Sequence, residues 1–293
     1  MRHAHRPNAA SSPARHSPPV DARIVLARLA ASRILPPTLV REGRSEAIAA
    51  IVAHAGAGLS MRVLSLVADA GLVLFAIDDL LDDSGVTVEE GTLRIEQYTA
   101  VARGEHCPEV AFDPIARALS DLRRRVGATD PEGDMVDAWA DAMGRMLAAM
   151  GAELRVARAP AATTLERYLE TGRDSIGVEM IAFTAWVAMG AGATRAVLPA
   201  LQRAERSFST AVRLANDLRT CERERAEGRV NAVTLVGDRG RPRLRALCDQ
   251  GLADGRGALA AAGLAGSAQG RFLERFAHAI VSMYVTRDFE QAA

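Results

Sequence analysis

The stretch Ala70-Gly-Leu-Val-Leu-Phe-Ala-Ile-Asp78-Asp-Leu-Leu-Asp82-Asp-Ser84 decides how this chain is read. An apolar run long enough for several helical turns ends in four carboxylates, Asp78, Asp79, Asp82 and Asp83. Positions four apart share a helix face, so Leu74, Asp78 and Asp82 align, as do Phe75, Asp79 and Asp83. Like charges at that spacing repel, and carboxylates beside a buried stripe also lose hydration. A cation should compensate them. Hard divalent ions such as Mg²⁺ take oxygen ligands, often one or two carboxylates plus phosphate oxygens. An acidic helix end is more often a solvated surface, so this reading needs a second oxygen-bearing element to meet the first.

Residues 205–228 supply one. Stepping by four gives Phe208, Val212, Asn216, Thr220 and Glu224, a stripe that is apolar for two turns and then carries amide, hydroxyl and carboxylate oxygens. Such a set on one face suits a hard cation. The chain has only three Asn, at 8, 216 and 231, so one at the head of this triad carries weight. Taken alone, the helix could equally present Asn216 and Thr220 to solvent and pair Glu224 with a neighbouring Arg. Two such helices, each apolar on the approach to its ligands, describe a metal cluster at the mouth of an apolar cavity inside a helical bundle.

The rest of the chain agrees with a bundle. It has 293 residues, 49% hydrophobic and 25% charged, with Lys+Arg and Asp+Glu at 36 each. That supports one large domain with a substantial core. A formal net charge of zero and no basic block argue against a nucleic-acid partner. Every Lys/Arg position is Arg, which with the abundant Ala and Gly reads as base-composition bias. Cys107, Cys221 and Cys248 form no metal or redox spacing and fit a reducing cytoplasm. No apolar run approaches the ~18 residues of a membrane span, so a soluble cytoplasmic protein without a membrane partner is expected.

Residues 1–20, with four Pro, three Ser and three His, read as a disordered tail. From there the periodicity is helical, and hairpin signals are absent. Helices are expected near 21–33, 42–55, 59–83, 89–103, 112–126, 132–155, 163–190, 195–227, 240–262 and 269–287. Thr163-Thr-Leu-Glu166 has the pattern of a capping box. The Gly- and Ala-rich residues 250–270 read as a loose connection. The expectation is one all-α domain over 21–293, a single bundle of about ten helices around an apolar cavity.

Together, Asp78-Asp-Leu-Leu-Asp82 and Asn216-Asp-Leu-Arg-Thr220-Cys-Glu-Arg-Glu224 resemble the two metal motifs of bacterial class I terpene synthases, the Asp-rich DDxxD and the (N/D)Dxx(S/T)xxx(E/D) signature. Between them, Tyr168-Leu-Glu-Thr-Gly-Arg173-Asp-Ser-Ile-Gly177 looks like the family's helix break, whose Arg senses diphosphate and whose Gly is the effector position. The resemblance covers roughly residues 22–290. It departs at the C-terminal end, where an Arg-Tyr pair is common and this chain has Arg287-Asp288-Phe289, with Tyr284 displaced upstream. It departs again at Ile176, where Asp or Thr is common.

The resemblance implies Mg²⁺ as cofactor, about three ions with the substrate diphosphate bound, held by Asp78, Asp79 and Asp82 on one side and Asn216, Thr220 and Glu224 on the other. It implies Arg173 and Gly177 as the catalytic sensor and effector, and Arg223 and Arg287 as further diphosphate contacts. Leu74, Phe75, Phe183, Trp186, Phe208, Val212 and Tyr284 are expected to line the cavity. The resemblance also implies an allylic isoprenoid diphosphate as substrate, and the chain is most like the short class I diterpene synthases. A C20 diphosphate is expected, linear or bicyclic of the copalyl type, in the latter case downstream of a separate class II cyclase. A homodimer is also expected. The alternatives are a sesquiterpene synthase acting on farnesyl diphosphate, a trans-prenyltransferase, and a non-catalytic helical scaffold.

Overall fold

Ser60 starts the central helix. Its hydroxyl accepts the Val63 amide, and α3 then runs Met61–Asp82 in the computed structural model, which describes residues 21–158, 163–286 and 289. The tail expected over 1–20 and the diphosphate contact expected of Arg287 lie outside the described residues. α3 is apolar on nearly every side, as befits a helix surrounded by others. It packs against α1 (Ala22–Ser32), α2 (Arg44–Ala55), α5 (Pro114–Gly127), α6 (Asp134–Arg158) and α8 (Val178–Arg195). Asp83 stops it: its backbone leaves the helix, and its carboxylate accepts the Gly85 amide at 2.8 Å, a local turn that competes with another helical residue.

The remaining helices are α4 (Val88–Arg103), α7 (Leu165–Ser175), α9 (Leu198–Ala226), α10 (Ala232–Val236), α11 (Arg241–Ala261) and α12 (Ala268–Thr286), with three short 3₁₀ turns. Among the described residues there is no strand, and the all-α bundle read from the sequence is what the chain forms.

Three expectations need correction. The single helix expected over 163–190 is two, α7 and α8, broken at Ile176-Gly177. Gly177 sits at φ 74°, a conformation that favours glycine, and a Cβ there would lie 2.0 Å from Leu74 Cδ1, so a side chain at this break would be strained and would have to displace Leu74 of α3. The cap of α7 is Thr164, whose hydroxyl accepts the Arg167 amide at 3.3 Å, one residue later than the capping-box pattern placed it. Residues 250–261 are helix and not a loose connection. Gly251 and Gly255 let α11 approach α9 closely, against the Ser207 carbonyl and the Phe208 ring, so the glycines serve packing.

The stretch Leu165–Arg195 also holds an 18-residue window of mean hydropathy 1.5, long and apolar enough by composition to cross a membrane, which the sequence reading did not anticipate. That window is 61% buried within the protein, and the stretch is broken at Gly177, as in a pair of core helices.

Candidate active site

A cavity of about 1030 Å³ opens between α2, α3, α6, α7, α8, α9 and α12. Its walls are Leu74, Val212, Ile181, Phe276 and Ile280, with Phe75, Tyr284 and Phe289 toward the carboxylates. Both oxygen-bearing helices face it. From α3 come Asp78, Asp79 and Asp82; from α9 come Asn216 and Glu224. The two motifs, more than a hundred residues apart in sequence, meet at one mouth.

The carboxylates of α3 have different partners. Asp79 turns to the start of α2, where Arg41, just ahead of the helix, pairs with it at 3.0 Å and Arg44 binds its other oxygen. Asp82 pairs with Arg229, which also donates to the Asp82 carbonyl at 3.2 Å. Asp78 forms no such pair among the described residues. Desolvation, then the charges of Asp82, Asp79 and Glu153, push its carboxyl up to about 8, with Arg44 the opposing influence. It is the point of the site where added positive charge would be most favourable.

On α9, Asn216 Oδ1 accepts from the Thr220 hydroxyl at 3.2 Å, and Asn216 Nδ2 donates to Tyr284 at 2.9 Å. Thr220 is buried and off the cavity surface, its hydroxyl also bonded to the Asn216 carbonyl. Glu224 is oriented by Asn231, whose amide donates to it at 2.8 Å and to the Asp217 carbonyl at 3.0 Å. Asp217 lies fully buried behind the motif. Desolvation raises it to about 7 against the pull of Arg213, and its carboxylate accepts the Ala232 amide at 3.1 Å. This ties α10 to the motif helix.

Among the described residues no three His, Cys, Asp or Glu side chains converge as a metal centre. The donor set, carboxylates from α3 facing amide and carboxylate oxygens from α9, instead fits Mg²⁺ ions that complete their coordination with water and phosphate oxygens.

The other expected residues divide. Gly177, Arg223, Leu74, Phe75, Val212 and Tyr284 line the cavity. Phe183, Trp186 and Phe208 do not: they are fully buried core, Phe183 and Trp186 packed ring to ring at 5.4 Å and Phe208 under Gly255. Their helical spacing was that of a core stripe, which sequence alone does not separate from a cavity wall. Arg173 lies outside the lining. α7 turns Arg167, Thr171 and Ser175 to the cavity, and at about 100° per residue Arg173 stands roughly 200° from Thr171. Its Nε is 3.9 Å from Asp174, and its charge is felt by buried Glu205.

Several residues of the site carried no local signal. Glu153 of α6 accepts from Ser175 Oγ and pairs with Arg213, each at 2.9 Å, beside Asp78. Arg213 also donates to Tyr168 Oη. These side chains become neighbours only when α6, α7 and α9 pack. Asn231 had one weak signal, being among the chain's three asparagines.

The comparisons agree with this geometry. The family described as terpene synthase family 2, C-terminal metal binding, matches residues 69–239, a span holding both motifs. An ent-cassa-12,15-diene synthase of Oryza sativa subsp. indica is 26% identical over 171 residues, 55% of this chain but only 20% of that protein's length. Among solved structures, 2-methylisoborneol synthase of Streptomyces coelicolor A3(2), in complex with Mg²⁺ and geranyl-S-thiolodiphosphate, aligns with TM-score 0.78 at 16% identity over 97% of each chain. Linalool/nerolidol synthase of Streptomyces clavuligerus, with 2-fluorogeranyl diphosphate, aligns with TM-score 0.72 at 20% identity over 96% of this chain and 99% of that one. At those identities the structures speak for the fold. With more than half of its length in the family match and both oxygen-bearing helices inside it, the chain belongs to the terpene synthase family 2 group, whose defining region is its C-terminal metal-binding one.

Proposed function

We propose that the protein is a Mg²⁺-dependent class I terpene synthase that ionises an allylic isoprenoid diphosphate and cyclises or rearranges the carbocation. One observation carries this: two oxygen-bearing helices from distant parts of the chain face the mouth of one apolar cavity. Asp78 and Asp82 would hold ions from one side and Asn216 and Glu224 from the other, while Thr220, buried behind Asn216, would reach an ion only by turning its hydroxyl from the Asn216 oxygens. Mg²⁺ when bound supplies Lewis-acid charge that stabilises the departing diphosphate. Arg223 and Arg229, cations on the cavity wall, add charge for the same anion. Asp79, held by Arg41 and Arg44, positions the end of α3. Gly177 opens the α7–α8 break onto the cavity beside Leu74. The apolar walls exclude water and template ring closure.

For the substrate we propose a C20 diphosphate, linear or bicyclic, the bicyclic form requiring a separate class II cyclase upstream. A cavity of about 1030 Å³ is at the upper end of ordinary small-molecule pockets of ~300–1,000 Å³, which supports a long chain. The competing reading is a shorter substrate, farnesyl diphosphate first. It is favoured by the fold neighbours, which were crystallised with C10 analogues. Incubation with C10, C15 and C20 diphosphates plus Mg²⁺, with products read by mass, tests both levels. No product from any of them overturns the enzyme reading; a higher kcat/KM for farnesyl diphosphate than for both C20 forms overturns the chain length alone.

A further inference from the structure

The wall of the cavity nearest the carboxylates is aromatic, and one of its rings comes from the far C-terminal end. Phe289 is 8% exposed. Its ring centroid lies 4.5 Å from that of Phe75 and 6.0 Å from that of Tyr284, the latter pair edge to face, and all three line the cavity. Each neighbour is tied to a different metal motif. Phe75 carries the Arg44 guanidinium 4.5 Å over its ring, and Arg44 binds Asp79. Tyr284 accepts the hydrogen bond from Asn216. Phe289 therefore completes an unbroken path of contacts, Asp79–Arg44–Phe75–Phe289–Tyr284–Asn216, between the two oxygen-bearing helices.

We infer that Phe289 is a specificity-determining residue: its ring, wedged between Phe75 and Tyr284, keeps water from the allylic cation at the diphosphate end of the cavity and so decides between hydrocarbon and alcohol products. The inference rests on the proposed function. Two physical facts support the role. The ring sits at the cavity wall between Phe75, whose helix bears the Asp-rich motif, and Tyr284, which is bonded to the other motif's Asn216. Its π-face also offers a developing cation an attractive surface without a nucleophilic atom. With the ring present, the cation ends by passing a proton from carbon to the departed diphosphate, the C–H electron pair becoming the new double bond. With the ring removed, a water lone pair forms a C–O bond to the cation, and the resulting oxonium passes its extra proton to solvent, leaving an alcohol.

The test compares wild type, Phe289→Ala, Phe289→Leu and Phe289→Tyr in H₂¹⁸O, with the ratio of ¹⁸O-labelled alcohol to hydrocarbon read by mass. Thermal melts accompany each variant, so that the Leu and Tyr forms carry the result if the Ala form does not fold. The expected result is at least a ~5-fold rise in labelled alcohol for Ala, a smaller rise for Leu, and a wild-type ratio for Tyr, which keeps the ring. An unchanged ratio in folded Ala or Leu variants overturns the inference, as does a wild-type product that is already wholly labelled alcohol. If wild type turns over none of the diphosphates, the proposed function is what fails, and a second readout decides the wall role. Fluorescence of 1-anilinonaphthalene-8-sulfonate should rise on Phe289→Ala, as an opened aromatic wall admits the dye. Unchanged dye binding overturns that role.

Discussion

Asp78 stands among Asp82, Asp79 and Glu153 with Arg44 the opposing charge, and desolvation adds to their effect. Replacing it with Asn removes an anionic oxygen that Mg²⁺ would need and also relieves the crowding. Asp78→Asn is therefore expected to cut kcat by at least ~100-fold while leaving Tm equal or higher. Near-wild-type turnover at saturating Mg²⁺ would remove the Asp-rich motif from the metal site. Glu224→Gln tests the other side. The amide can still accept from Asn231, so the local fold persists, but the anionic charge is gone. The Mg²⁺ concentration for half-maximal rate should rise and the rate should fall; an unchanged Mg²⁺ dependence would make Glu224 a structural residue. At this scale the motif residues were legible because their identity and spacing carry the chemistry. Glu153, Arg229 and Arg213 were not, because an acid or an Arg on a helix has the same local pattern whether it faces solvent or a site.

The α7–α8 break shows what an element boundary can be worth. At Gly177 an added methyl would meet Leu74 at 2.0 Å, on a backbone of positive φ. Gly177→Ala should cost ~1–3 kcal/mol and lower turnover, since the break opens onto the cavity. Leu74→Ala removes the atoms in conflict, so the double variant should be more stable than the sum of the single effects predicts. Strict additivity in thermal or urea melts would mean that the break does not rest on α3. The same element bears on Arg173, whose face of α7 points away from the cavity, so contact with a diphosphate requires α7 to turn. If it does so, Arg173→Lys should be nearly as damaging as Arg173→Ala, because an ammonium does not reproduce the guanidinium fork. Wild-type KM in both variants would leave the anion to Arg223 and Arg229.

For the molecule as a whole, pH bears on stability away from the cavity as well as at Asp78 and Asp217. Glu205 is buried in α9, where Ser209 donates to it and no cation pairs with it among the described contacts. Desolvation first, then the charge of Glu179, raises its carboxyl from 4.5 to about 8. The folded state thus holds a proton that the unfolded chain releases near pH 4.5. This contribution to stability is complete below that value and is lost as pH rises toward about 8. Tm should fall between pH 6 and pH 9 in the wild type, by about 2–4 °C per kcal/mol. Glu205→Gln, which cannot ionise, should flatten that fall. Parallel curves for the two proteins would show that Glu205 does not carry the slope.

Sequence by itself determined the all-α class, the span of most helices and the two oxygen-bearing stripes, because helical periodicity and ligand spacing are local properties that survive without knowledge of neighbours. Even the Ile176-Gly177 break was visible in the resemblance of residues 168–177, although the helix there was still drawn as one. Tertiary structure alone decided which apolar side chains are cavity and which are core. Phe75, Val212 and Tyr284 became walls; Phe183, Trp186 and Phe208 became filling, since burial against another helix or against an empty space leaves the same mark on the chain. It also turned Asp79 to Arg41 and Arg44, set Arg173 on the far face of α7, and brought Phe289 against Phe75 across more than two hundred residues. Each of those contacts joins elements whose approach depends on how all the helices pack together, and no window of sequence contains that information.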